Sequence, residues 1–363
     1  MRRARPLSFL TAALVALAAG TATAADPPPP SSTAPVPTTP PPAHPAQATG
    51  WALPAAPGLL LSAAPDAAIA PTRAVPSTRI AGQVLQVAWG NDGRVWLQLL
   101  FPDRLGGWAP GDAVVAAPAP AAPSPAAQAA VTRGIAALGP GGALVVRDTL
   151  GRTIIQAGTT RALSLASVTK LATMAATLQR RSVSAALAAR VLGDSDNDRA
   201  QRLSTDLGGG SRAAGARAAR EAVAALGVRI RLVDGSGLSP GNRATAQEIT
   251  DLLLAMRDQP RFPVFFRGLS VAGRRGTLGG RMRGTSASGR VRAKTGTLFD
   301  HPTSSLCGYF WPAGSGLAPD RAMVVCMLEN GVSPYRARPA QDAVMAALTA
   351  SGAFVAPAIS SRP

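Results

Sequence analysis

The chain has 363 residues, enough for two domains with connecting segments, and its hydrophobic content of 47% excludes a disordered protein. Basic residues number 37 and acidic residues 19, so the net charge of +18 favours an anionic partner. Only two of the basic residues are lysines, and the other 35 are arginines.

The first predicted element is an export signal at residues 1–24. Three arginines precede an apolar stretch over residues 7–19, and Ala22-Thr23-Ala24 is a small-residue cleavage site. The stretch is shorter than a membrane span requires, so we expect membrane attachment only if the signal is not cleaved. No Cys directly follows the cleavage site, which argues against a lipid anchor. We expect an exported protein of the periplasm or cell wall that does not bind nucleic acid.

Residues 25–49 are rich in Pro and Ala and predict an extended linker. Residues 50–117 contain four of the five tryptophans and short alternating strands such as Gln83 to Trp89, which predict a small all-β domain. The run Val95 to Leu99, followed by Gly107-Trp108, resembles bacterial SH3-like domains of wall enzymes. Such domains imply docking to peptide or peptidoglycan. The alternative is that the tryptophans only fill a small core.

A second linker, residues 118–128, precedes a predicted domain at 129–357. Its predicted strands are 141–148, 153–158, 228–233, 290–298, 304–311 and 322–330, and its predicted helices are 167–180, 198–207, 213–226, 245–256 and 337–350. This order of a hairpin, helices, antiparallel strands and a closing helix predicts an α/β sandwich, with one antiparallel sheet flanked by helices.

Both lysines lie in short motifs that a serine enzyme can use, Ser167-Val168-Thr169-Lys170 and Lys294-Thr295-Gly296. Arginine stays charged, whereas a lysine amine loses its proton when burial and a neighbouring cation lower its pKa, so only lysine can act as a base. Ser167 and Lys170 share a helix face one turn apart. The predicted catalytic residues are Ser167 as nucleophile, Lys170 as its base and Ser195 as the carrier of the proton to the leaving amine.

Five further residues are predicted to bind substrate. The Asn197 amide would hold the substrate backbone, and the Lys294 ammonium with the Thr295 and Thr297 hydroxyls would bind a terminal carboxylate. Gly296 would let substrate lie against the strand, and the N–H groups of Thr297 and of the nucleophile would form an oxyanion hole. We expect no metal and no cofactor.

Longer stretches around the motifs extend the pattern. They are Ser195-Asp196-Asn197 and the segments 233–243, 269–278 and 289–298. Over about residues 135–350 the chain resembles the D-Ala-D-Ala carboxypeptidase/endopeptidases of the penicillin-binding protein 4 type. The resemblance implies a beta-lactamase/DD-peptidase-like fold and an acyl-enzyme at Ser167. It also implies peptidoglycan stem peptides and beta-lactams as ligands.

The chain departs from that family because only 24 residues separate Lys170 from Ser195, where family members have a long insertion with extra domains. This loss could misplace Ser195, or the SH3-like domain could supply the missing wall of the cleft. A beta-lactamase is an alternative, but it needs a second base, and Glu221, Glu248 and Glu329 lie in no Glu-x-x-Leu-Asn loop. A catalytically impaired wall-binding protein is the other alternative.

Two further features concern surface charge and cysteines. Residues 261–299 contain eight arginines and Lys294 but no acidic residue, which predicts a positive surface for an anionic wall polymer or a substrate carboxylate.

Cys307 and Cys326, the only cysteines, lie in neighbouring apolar runs. A disulfide and two buried free thiols are both compatible with this placement.

Overall fold

The computed structural model describes residues 37–75, 77–102 and 105–355. The predicted export signal and residues 25–36 of the predicted linker lie outside these residues. In the described part of the chain, no helix has both the length and the hydropathy to cross a bilayer.

Residues 45–116 form a small unit that we call the β module. Its elements are α1 (Pro45–Thr49), β1 (Trp51–Pro54), β2 (Leu59–Leu61), β3 (Arg73–Val75), β4 (Gly82–Trp89), β5 (Val95–Leu100), β6 (Gly106–Pro110) and β7 (Val114–Ala116). Five strands pair antiparallel in the order β6-β5-β4-β1-β7. Helix α1 lies inside the predicted linker, because the His44 side chain caps it by accepting from the Ala46 N–H and Pro45 opens it.

The rest of the described chain alternates helices and strands. The elements are β8 (Ala122–Pro123), α2 (Pro125–Leu138), β9 (Gly142–Arg147), β10 (Thr153–Gly158), β11 (Leu163–Ser164), α3 (Thr169–Arg180), α4 (Ala185–Ala188), α5 (Asn197–Leu207), α6 (Arg212–Ala224), β12 (Arg243–Ala244), α7 (Ala246–Arg257), α8 (Phe262–Gly268), β13 (Ser270–Val271), β14 (Val291–Leu298), β15 (Thr303–Phe310), β16 (Met323–Asn330), α9 (Pro334–Thr349) and β17 (Phe354–Val355). Helix α2 begins inside the predicted second linker, where the Ser124 side chain caps it.

One antiparallel sheet, in the order β10-β9-β16-β15-β14-β13, forms the centre of this part. Alternate side chains of each strand point to opposite faces. One face packs with Leu171 of α3 and Leu253 of α7 in a large core, and the other packs with Val344 of α9 in a second core. The predicted α/β architecture, with helices on both faces of one sheet, is confirmed.

The structure differs from the prediction in two predicted elements and in helices that have no predicted counterpart. The strand predicted at 228–233 is wrong, because this segment makes only an isolated bridge between Arg231 and Arg243, and side chains take over the backbone bonds beyond it. Helix α8 was not predicted. Helix α9 begins at Pro334, three residues before the predicted start, because proline is compatible with a first helical position and Pro339 is accommodated inside the helix.

Cys307 and Cys326 are directly opposite each other on β15 and β16, and they form a disulfide. Both side chains are fully buried between the sheet and its helices. Of the two states that the sequence left open, the structure has the bonded one.

Candidate active site

Ser167 lies in a tight 3-10 turn, Ala166–Val168, that leads directly into α3. Ala166 has φ of +48°, a conformation that is strained for a residue with a side chain. Gly237 packs so closely on this turn that a Cβ there would lie 2.1 Å from the Ala166 carbonyl oxygen. The packing of Gly237 therefore holds the turn in this conformation. Ser167 is half-buried at the surface of a cleft.

The Lys170 amine is fully buried and lies 2.9 Å from Ser167 Oγ. It also donates to Asn197 Oδ1 at 2.7 Å and to the Ser236 carbonyl oxygen. Burial lowers the pKa of Lys170 from 10.5 to about 8, and the carboxylates of Asp234 and Asp196 oppose that change. An amine with this pKa is partly neutral near neutral pH.

The loop of residues 233–243 supplies one of these acceptors. Asp234 accepts from the N–H groups of Gly237 (2.6 Å) and Ser239 (2.8 Å) and from Asn242 Nδ2 (3.0 Å). Thr173 of α3 donates to the Gly235 carbonyl oxygen at 2.8 Å. These bonds fix the loop so that its next carbonyl faces Lys170. The motif was recognised in the sequence, but its role as a hydrogen-bonding partner of the base was not.

Lys294 is also fully buried, and its amine donates to Ser195 Oγ at 2.9 Å and to the Thr295 carbonyl oxygen at 2.6 Å. Burial and the nearby Lys170 charge hold the pKa of Lys294 well below 10.5. Ser195 has φ of +66°, another left-handed residue with a side chain beside the cleft. Lys294 is thus placed behind Ser195, which differs from the predicted direct contact with a substrate carboxylate.

Gly296 lies on β14 with its missing side chain directed at the turn that carries Ser167. A Cβ at this position would lie 2.6 Å from the Leu165 carbonyl oxygen and 3.2 Å from the Ser167 nitrogen. The predicted reason for glycine was access of substrate to the strand. The structure gives another reason, which is close packing of the strand on the turn.

The cleft has a volume of about 450 Å³ and a polar lining. Its lining residues are Ser167, Ser195, Asn197, Thr277, Arg281, Thr295, Thr297 and Arg338. Five of these eight were predicted, and the remaining predicted site residues, Lys170, Lys294 and Gly296, lie directly behind them. Along the part of β14 that borders the cleft, strand pairing is confined to one side: β13 reaches only as far as Ala293.

Three lining residues were missed by sequence reasoning. Thr295 Oγ1 donates to Thr277 Oγ1 at 2.7 Å, and Arg338 donates to Thr297 Oγ1 at 3.1 Å. Arg281 forms an ion pair with Asp342 at 2.6 Å. The arginine-rich segment was a partial signal for Arg281, but Arg338 lies on a helix whose position relative to the cleft depends on the fold.

The histidines and glutamates that alternative mechanisms would use lie outside the lining of the cleft. His44 caps α1, and His301 is exposed in the turn after β14. Glu221 is exposed on α6, and Glu248 closes the capping box of α7. Glu329 is buried on β16 and directly opposite Ser304, away from the cleft lining.

A family model described as the D-Ala-D-Ala carboxypeptidase 3 (S13) family matches residues 182–351. The predicted resemblance is confirmed. The match contains Ser195, Asn197, Lys294 and the loop of residues 233–243, and it begins shortly after Lys170.

Two curated proteins share this similarity. A D-alanyl-D-alanine carboxypeptidase from Actinomadura sp. is 35% identical over 176 residues, which are 45% of this chain and 31% of that protein. Carboxypeptidase DacB from Mycolicibacterium smegmatis is 34% identical over 128 residues, which are 34% of this chain and 26% of that protein. The matched part of the chain therefore spans less than a third of the length of either curated relative.

Among solved structures, the chain is similar to penicillin binding protein 4 (dacB) from Haemophilus influenzae, complexed with a beta-lactam. It is 22% identical, with 44% of this chain and 39% of that chain covered and a TM-score of 0.38.

Proposed function

We propose that the protein is a serine D-Ala-D-Ala carboxypeptidase/endopeptidase with a beta-lactamase/DD-peptidase-like catalytic unit, which cleaves peptidoglycan stem peptides through an acyl-enzyme at Ser167. One observation carries the proposal, the set of partners around the Lys170 amine. Asn197 Oδ1 and the Ser236 carbonyl can only accept hydrogen bonds, whereas Ser167 can donate one. The ammonium form fits these partners by donating to all three, and the neutral amine fits them with its two N–H groups on the acceptors and its lone pair toward the Ser167 hydroxyl, so the amine can lose its proton without leaving a partner unsatisfied.

In the acylation step the Ser167 proton passes to Lys170 while Oγ attacks the carbonyl carbon of the penultimate D-Ala. The N–H groups of Ser167 and Thr297 stabilise the resulting oxyanion. The Ser195 hydroxyl relays the proton to the leaving amine, the C–N bond breaks, and the terminal D-Ala departs. Water then hydrolyses the ester. A cross-linked peptide in place of the terminal D-Ala gives the endopeptidase reaction.

The substrate carboxylate has cationic and hydroxyl partners in the cleft. Arg338 donates to Thr297 Oγ1 and faces the cleft with Arg281, while Thr295 and Thr277 supply hydroxyl groups. Guanidinium groups suit carboxylates because two parallel N–H groups can bind both oxygens. We therefore assign the direct carboxylate contacts to these side chains.

Lys294 acts behind this carboxylate site. A bound carboxylate brings negative charge toward a fully buried amine and so raises its pKa, which favours a cationic Lys294. That cation in turn lowers the pKa of Lys170 and favours its neutral form. Substrate binding thereby places the two lysines in the protonation states that the reaction needs.

The export signal would place the enzyme in the periplasm or cell wall, with a domain boundary in residues 118–128. The β module would be an SH3-like domain that docks on peptide or peptidoglycan. The alternating strands and the tryptophans of the module support this assignment.

A labelled penicillin tests the enzymatic proposal. We expect a covalent adduct at Ser167, mapped by mass spectrometry, and D-Ala release from a peptide ending in D-Ala-D-Ala. Ser167→Ala should abolish both, whereas Ser182→Ala, on an exposed serine that only accepts from Arg261, should change neither. Absence of an adduct in folded protein would favour a catalytically impaired wall-binding protein. Rapid turnover of a chromogenic cephalosporin would favour the beta-lactamase.

A further inference from the structure

Four arginines converge around the edge strand β13, and we call them the arginine cluster. Arg267 lies in the last turn of α8, Arg274 and Arg275 follow the end of β13 after two intervening residues, and Arg292 is on β14 opposite Val271. Arg267 and Arg274 are exposed, and Arg275 and Arg292 are half-buried. The eight arginines of the segment 261–299 are thus not spread evenly, because half of them lie in this one place.

The cluster is held in place by specific contacts. Arg275 donates to the main-chain carbonyl of Arg267. The guanidinium of Arg292 lies 5.1 Å from the centre of the Phe266 ring. Arg274 lies against the backbone of Gly289, where a Cβ would be 2.7 Å from its Nη2. The guanidinium groups of Arg274, Arg275 and Arg292 are therefore positioned before any ligand arrives, which reduces the entropy lost on binding.

No negative charge balances these groups. Among the described residues, none of the four arginines takes part in an ion pair. Burial lowers the pKa of Arg292, and the like charges of Arg275, Arg274 and Arg267 lower it further through their repulsion of its guanidinium. Such repulsion destabilises the folded protein unless an anion relieves it.

The geometry points to a binding site for the phosphate groups of an anionic polymer, located beside the cleft and separate from the chemistry at Ser167. Several guanidinium groups can share the oxygens of one phosphate, whereas one guanidinium already satisfies a carboxylate. The only aromatic ring in these contacts, Phe266, is buried, so the cluster offers bases no stacking surface. A phosphodiester polymer of the envelope therefore fits better than a nucleic acid or an acidic peptide.

The site lies at one end of the cleft. Thr277, two residues after Arg275, lines the cleft and accepts from Thr295 Oγ1. Gly276 packs on the Gly193 carbonyl, close to Ser195 in the chain. A polymer bound at the arginine cluster would keep the enzyme on the wall, with the cleft next to the bound polymer chain.

Binding of the purified full chain to immobilised long-chain polyphosphate tests the inference, with interferometry at low and moderate salt. We expect Arg267→Ala/Arg274→Ala to weaken binding about tenfold or more, because two charge-assisted contacts are lost. The control Arg133→Ala/Arg161→Ala removes the same charge from two other exposed positions and should have a much smaller effect. The Arg267→Lys/Arg274→Lys variant should bind polyphosphate with intermediate affinity, because it keeps the positive charge but loses the paired N–H groups of each guanidinium.

Three results would overturn the inference: equal weakening by the control pair, equal affinity for poly-L-glutamate of matched charge, or much tighter binding of single-stranded oligothymidylate. The penicillin adduct is measured on the same samples. Polyphosphate binding without an adduct would refute the proposed function and leave the phosphate site standing. An adduct without cluster-dependent binding would refute the phosphate site and leave the proposed function standing.

Discussion

At the scale of single residues, the Lys170 amine determines how the cleft can work. Its pKa of about 8 means that protonated amine dominates below that pH and neutral amine above it. Only the neutral form can accept the Ser167 proton. We therefore expect the rate of acylation by penicillin to rise with pH through about 8 and to level off above it.

Lys170→Arg provides the matched variant for this prediction, because arginine keeps the charge and length but cannot lose its proton. Acylation should fall by about 100-fold or more at every pH, measured as a second-order rate with labelled penicillin. A flat pH profile in the wild type, or fast acylation of the arginine variant, would mean that another group takes the proton.

Glu329 is a second unusual residue, because its carboxyl is fully buried and neither oxygen has a hydrogen-bond partner among the described residues. Burial raises the pKa of Glu329 from 4.5 to about 8. Between these two pH values the unfolded chain loses the proton while the folded chain keeps it. The stability that the neutral carboxyl contributes is complete below about pH 4.5 and is lost as pH rises through about 8.

Glu329→Gln removes this titration. In urea unfolding at about pH 5 and about pH 8, we expect the loss of stability between the two pH values to be smaller in the variant by about 2 to 4 kcal/mol. Glu221→Gln, at an exposed site, serves as the control and should behave like the wild type. Identical pH dependence in all three proteins would mean that Glu329 is charged and solvated.

Most of the hydrogen-bonding residues at the cleft could be identified from the sequence, because both lysines lie in short motifs that also contain serine or threonine. The structure brings Ser167, Lys170, Ser195 and Lys294 together at one cleft. Arg338 could not be found in the same way, because an arginine on a late helix has no local signal that links it to Thr297. Its contact depends on how α9 crosses the end of β14.

At the scale of elements, local chemistry explains both the successful and the failed predictions. Helix α7 was predicted from its capping box, and the Thr245 and Glu248 side chains do bond reciprocally to the backbone. The segment 228–233 has the apolar, β-branched composition of a strand. Its end is instead held by Asn242, whose Oδ1 accepts from the N–H groups of Val233 and Asp234. Such side-chain bonds compete with strand pairing.

The short connection between α3 and Ser195 is a related case. Of the 24 residues between Lys170 and Ser195, ten complete α3, and the 14 that remain contain α4 and a π-helical turn, Ala189–Gly193. The Ser270 hydroxyl donates to the Gly193 carbonyl at 2.7 Å and anchors the end of this turn. Ser195 is thereby brought to 2.9 Å from Lys294 although the long insertion is absent. Misplacement of Ser195 was one of the open alternatives, and the structure has Ser195 in the lining of the cleft.

At the scale of the whole molecule, the β module contacts the second part away from the cleft. The Ala81 N–H donates to the Leu150 carbonyl at 2.9 Å, and Gln247 donates to the Pro102 carbonyl at 3.3 Å. The Arg152 guanidinium lies 5.3 Å from the centre of the Trp51 ring. Every described residue that lines the cleft lies between 167 and 338, so none of the described residues of the module forms part of the cleft wall.

Trp51→Ala tests whether this contact holds the module in place. Arg152 keeps its bond to Asp148 at 2.7 Å in the variant, so the second part should stay folded and form the penicillin adduct at an unchanged rate. Loss of the ring contact should increase hydrogen exchange at the Ala81 amide by up to about tenfold, because a partly buried cation–π contact contributes about 1 kcal/mol. Trp89→Ala is the control, since that indole donates to the Thr39 carbonyl within the N-terminal region. If both variants exchange like the wild type at Ala81, the module is held by its other contacts and Trp51 has no part in docking.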